Sequence, residues 1–99
     1  MGKLVRDKIP DLIRRDGREP VVTMLDDVAY REALLDKLLE ESFELRDASA
    51  EQVPAEIVDV LEVLRALAQV HGQDWRDIEE LADVKRAERG GFHDRVYLG

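Results

Sequence analysis

Two acidic runs sit among apolar residues: E-E-S-F-E-L, Glu40 to Leu45, and E-I-V-D-V-L-E-V, Glu56 to Val63. A carboxylate can ligate a hard cation, move a proton or pair with Lys and Arg, and its neighbours decide which. Residues three apart on a helix share a face, so Glu41 with Glu44, and Glu56 with Asp59, would each present two carboxylates in one direction. A lone E-x-x-E is ordinarily part of a solvated helix face. The second run is different. On its wheel Ile57, Val60, Leu61, Val63, Leu64, Leu67 and Ala68 form a broad apolar arc, with Glu56 between Val60 and Val63 and Asp59 between Ala66 and Val70. An anion in such a sector must lose its charge, find a cation or face a partner subunit. Several clustered acids would need several basic partners, whereas a divalent ion meets the same need more economically. All-oxygen donors suit Mg²⁺ or Mn²⁺ rather than Zn²⁺, and Mg²⁺ commonly shares its coordination with substrate phosphates.

The elements that must position these acids are helical. I-P-D-L-I-R-R-D-G reads as a short helix with Pro10 in its first turn and Gly17 as its stop. Asp26 or Asp27 caps a long helix through about Arg46, with Leu34, Leu35, Leu38, Leu39, Phe43 and Leu45 in one half of its wheel. D-A-S-A-E-Q-V-P is the turn, where Ser49 and Gln52 resemble a capping box and Pro54 marks an alternative first turn. The next helix runs to His71 before Gly72, and Asp74 caps a third, W-R-D-I-E-E-L-A-D-V-K-R-A-E-R, ended by Gly90 and Gly91. Short connections make consecutive helices antiparallel, so the expected fold is an all-α antiparallel bundle that brings the two acidic runs together. Val21–Leu25 and Arg95–Leu98 are candidates for a small two-stranded ribbon.

A chain of 99 residues is expected to form a single domain over residues 1–99 and to have modest stability alone. The formal charge of -8 argues against a nucleic-acid polymer or a membrane surface as partner. With no Cys, disulfides and thiolate chemistry are excluded, and no apolar run approaches the roughly 20 residues that span a bilayer. M-G-K-L-V-R-D-K-I-P has no apolar stretch of the secretory kind, so a cytoplasmic protein is expected.

The acids together with K-L-V-R-D-K-I-P-D-L-I, K-L-L-E-E-S-F-E-L, E-I-V-D-V-L-E-V-L-R-A-L and K-R-A-E-R-G-G-F-H-D-R-V-Y-L resemble, in order and spacing, the MazG-like all-α nucleoside triphosphate pyrophosphatase superfamily. The likeness is to its short phosphoribosyl-ATP-pyrophosphohydrolase-like branch and covers nearly the whole chain. It implies an oligomeric enzyme, a homodimer or tetramer, that splits a nucleoside triphosphate into monophosphate and pyrophosphate, clearing noncanonical nucleotides. Carried over by position, Glu41, Glu44, Glu56 and Asp59 would hold Mg²⁺, Glu40 would orient or deprotonate the attacking water, and Lys85 and Arg89 would approach substrate phosphates. The family's Asn two residues before that Lys is Asp83 here, so no base or sugar preference is carried over.

Outside the acids, Lys3 and Arg6, and Arg95 beside the Gly90-Gly91 turn, are further phosphate-binding candidates, although an ion-paired structural role serves Lys3 and Arg6 equally well. His71 precedes a helix stop, where a cation suits the dipole, and His93, Trp75, Phe92, Tyr30 and Tyr97 read as solvated or packing residues. Two other readings stay open: a phosphoribosyl-ATP pyrophosphatase of histidine synthesis, and a non-catalytic helical assembly module whose acids meet a partner's Arg residues.

Overall fold

A computed structural model describes residues 2–99. It is all-helical: α1 (Ile9–Arg15), α2 (Asp27–Asp47), α3 (Val53–Val70) and α4 (Trp75–Arg89). The described residues fall into two compact units, one running to Leu67 and the other Ala68–Gly99. The first holds α1, α2 and most of α3; the second holds the last turn of α3, α4 and the C-terminal segment.

Local chemistry sets the helix ends. Pro10 occupies the first turn of α1, where its missing N–H costs nothing, and Gly17 beyond the helix takes φ 84°, a left-handed conformation that only Gly adopts without strain. The Asp26 side chain accepts a hydrogen bond from the Ala29 amide at 2.8 Å, satisfying one of the orphan donors of α2. Gln52 accepts from the Ser49 amide at 3.2 Å, which is the Gln half of a capping box, and Pro54 lies in the first turn of α3. In the second unit Asp74 accepts from the Arg76 amide at 2.8 Å, and Gly90 ends α4 with φ 80°.

In the first unit a connection of only five residues joins α2 to α3, which packs them as antiparallel neighbours. Leu34 on α2 and Val63 on α3 are the buried apolar side chains among the described residues. Two sequence expectations are corrected. No strand forms among the described residues: 21–25 and 95–98 are irregular, and Val21 (99% exposed) and Tyr97 (94%) have no cover, without which a two-stranded ribbon is not stable. The six apolar residues assigned to one side of α2 also divide, since Leu34 is buried and Leu38 and Leu45 half-buried while Leu35, Leu39 and Phe43 are exposed. No helix of the described residues is long and apolar enough to cross a membrane.

Candidate metal centre

Glu41 lies on α2, Glu56 and Asp59 one turn apart on α3, and the antiparallel pairing brings them together. One carboxylate oxygen from each of the three lies within 4.8 Å of the others. Two oxygens bound to one Mg²⁺ at about 2.1 Å from the ion stand about 3–4.2 Å apart, so modest side-chain rotation closes the triad on a cation. Burial separates this group from a solvated acidic face. The Glu41 side chain is 8% exposed, Glu56 and Asp59 are half-buried, and Glu41 Oε2 and Glu56 Oε2 are buried without a hydrogen-bond partner. Buried carboxylate oxygens are costly unless paired, so these two orphan oxygens are what a bound cation would satisfy. A cluster of acidic residues on two facing helices can therefore hold a metal ion.

Burial raises the Glu41 pKa above the ordinary 4.5, and the neighbouring Glu44 carboxylate raises it further, while Lys37 opposes both. Glu44 stands beside Glu41 but is exposed and outside the triad. Glu40 points to a different set of partners. Its Oε2 is 3.3 Å from Lys37 Nζ and its Oε1 is 3.6 Å from Lys3 Nζ. Lys37 also reaches Glu41 Oε1 at 3.3 Å. Its burial favours the neutral amine, but the hydrogen bonds and attraction of Glu41 and Glu40 win, and its pKa is raised.

The N-terminal segment closes onto this region. Arg6 Nη2 donates to Asp59 Oδ1 at 2.6 Å, a charge-assisted bond to a member of the triad itself. Gly2, Lys3 and Leu4 face Ala33, Asp36, Lys37 and Glu40 across a pocket of about 130 Å³. Lys3, Arg6, Glu40, Glu41, Glu56 and Asp59 are thus brought into one neighbourhood. Lys85 and Arg89 on α4 and Arg95 in the turn after it, where its φ is 58°, are exposed residues of the second unit. His93, also exposed, has Nδ1 3.7 Å from Asp94 Oδ1. Lys37 is the site residue that motif reading passes over. Its signal is the i,i+3 and i,i+4 spacing to Glu40 and Glu41, which makes ion pairs on a helix.

No family model matches the chain, and no solved structure matches it. A protein of Mycolicibacterium smegmatis (strain ATCC 700084 / mc(2)155), described as uncharacterized, is 50% identical over 56 residues. That stretch covers 57% of this chain and 57% of the relative, so the likeness spans little more than half of either.

Proposed function

We propose that this protein is a divalent-cation-dependent nucleoside triphosphate pyrophosphohydrolase. The observation that carries the reading is the Glu41, Glu56, Asp59 triad with two buried, unpartnered carboxylate oxygens, three of the four acids that the MazG-like resemblance marks for Mg²⁺. Mg²⁺ or Mn²⁺ bound there would polarise phosphoryl oxygens and lower the pKa of a coordinated water. Glu41, Glu56 and Asp59 would hold the ion, with Glu44 one turn from Glu41 on the same helix. Glu40, held between Lys37 and Lys3, accepts the proton of the attacking water. The water oxygen bonds to the α-phosphorus as the α–β bridging bond breaks, and pyrophosphate leaves with the bonding pair. Lys3 and Lys37 line the pocket beside Glu40 and supply positive charge where the phosphate chain would lie.

A second reading has one observation in its favour. Arg6 of the same chain already neutralises Asp59, so one acid of the cluster is balanced by a basic residue and not by a metal, as in the module reading. It leaves Glu41 Oε2 and Glu56 Oε2 without partners, and for that reason ranks second.

The deciding experiment is a panel of nucleoside triphosphates, with phosphoribosyl-ATP included, incubated with Mg²⁺ or Mn²⁺ and scored for pyrophosphate against orthophosphate. Equimolar monophosphate and pyrophosphate are expected. Orthophosphate as sole product rejects α-phosphorus attack, and no product with any member of the panel favours the module. Glu40→Gln should lower kcat by about 100-fold or more with Mn²⁺ binding retained, the usual loss for a general base. Loss of Mn²⁺ binding with turnover intact would refute the role given to Glu40.

A further inference from the structure

Lys37 stands where one nitrogen can serve two acids. At about 100° per residue Glu40 projects about 60° to one side of it and Glu41 about 40° to the other, so the ammonium lies between two carboxylates that diverge. Its Nζ is 3.3 Å from Glu40 Oε2 and 3.3 Å from Glu41 Oε1. On the pyrophosphohydrolase reading these two acids have different tasks: Glu41 holds the ion and Glu40 takes the proton of the attacking water.

Burial sets Lys37 apart from the other lysine at Glu40. A lysine on a helix surface extends its nitrogen into water and leaves an acidic partner at little cost. The Lys37 side chain is only 17% exposed, against 66% for Lys3, which approaches the other oxygen of Glu40 at 3.6 Å. A covered ammonium held by two carboxylates gains nothing from swinging away, and it ties the two acids to each other. Lys37 lines the pocket beside Glu40, yet its nitrogen is committed to the acids, and the exposed Lys3 is the one able to turn toward a phosphate. With Oε1 of Glu41 taken by Lys37, Oε2 stays buried and unpartnered, the atom left for a cation.

We propose that Lys37 is a positioning residue: its ammonium, braced between Glu40 and Glu41, holds the proton-accepting carboxylate at a set distance from the ion-binding one. This role rests on the pyrophosphohydrolase reading, which makes Glu40 the proton acceptor. A general base must lie within hydrogen-bond reach of the water it deprotonates, and a misplacement of about 1 Å can cost about 100-fold. Without Lys37, Glu40 is a half-buried helix glutamate steadied by the mobile end of Lys3.

Full-length Lys37→Met, Glu40→Gln and the double variant, assayed with Mn²⁺ and the nucleoside triphosphate that the wild type turns over, test the role beside calorimetric Mn²⁺ titrations without nucleotide. Lys37→Met should lower kcat by about 10- to 100-fold and change KM by less than about threefold. It should bind Mn²⁺ at least as tightly as the wild type, since a positive charge beside the ion is gone. The double variant should be no slower than Glu40→Gln alone, because a residue that acts through Glu40 then has nothing left to position. Lys37→Gln should show the same pattern, so the test does not hang on the folding of one variant. Losses that multiply in the double variant, or a rise in KM with kcat kept, would make Lys37 a phosphate contact and overturn the proposal. Mn²⁺ binding lost together with turnover would make Lys37 merely structural and overturn it too. A wild type that makes no product removes the reading and this role together, whereas a wild type that turns over while Lys37→Met keeps its kcat removes the role alone.

Discussion

Arg6 and a divalent cation draw on the same carboxylate, because Asp59 Oδ1 already accepts from Arg6 at 2.6 Å. The Arg6 guanidinium already neutralises part of the charge that would attract a cation. Both partners are partly exposed, so the pair is worth only about 0.2–1 kcal/mol. Arg6→Gln should therefore tighten Mn²⁺ binding, measured by calorimetry, by about two- to five-fold, and weaker binding would show that Arg6 does not compete for Asp59. Glu41→Gln should cost about 100-fold or more, since losing even an outer-shell partner costs 10–100-fold. The raised pKa of Glu41 gives two pH dependences of opposite sign. Between 4.5 and the raised value the folded apo protein binds more protons than the unfolded chain, so its stability falls as pH rises through that window. Metal affinity rises through the same window, because ligation requires the carboxylate. Denaturation and Mn²⁺ titrations from pH 4 to 7 should show the two trends crossing, and parallel trends would mean that Glu41 is not a ligand.

Helix ends follow from chemistry within three residues, and they were readable from the sequence alone. Asp26, Asp74, Gly17, Gly72 and Gly90 all stand where side-chain oxygens or left-handed backbone are needed. Asp26→Ala should lose the 2.8 Å cap on Ala29, costing about 1 kcal/mol and lowering Tm by about 4–8 °C, whereas Asp26→Asn should be nearly neutral. An equal loss in both variants would point to charge and not to the cap. What depends on distant partners was less readable. The 21–25 and 95–98 segments have strand composition, but pairing needs cover that composition does not encode. Arg6 meets Asp59 across 53 positions, which no local spacing announces. For α2 the half-wheel criterion was too coarse: Leu34 and Leu35 are consecutive, hence about 100° apart, and a half-wheel merges two narrower faces. The acid triad was readable because i,i+3 spacing and a short connection determine it, while Lys37 was overlooked for lying outside the acidic runs.

Among the described residues Leu34 and Val63 are the buried apolar side chains, so the core is small and whatever binds the folded chain adds a large share of its stability. One source is a cation on the Glu41 side of α2, where the acid cluster can hold one. Metal at 100 times its Kd adds about 2.7 kcal/mol, or roughly 10–20 °C in Tm for a domain of this size. Thermal melts of the full chain with and without Mn²⁺ should show that increment, and Glu41→Gln should remove most of it. An increment of full size in Glu41→Gln would mean that the ion binds somewhere other than the triad.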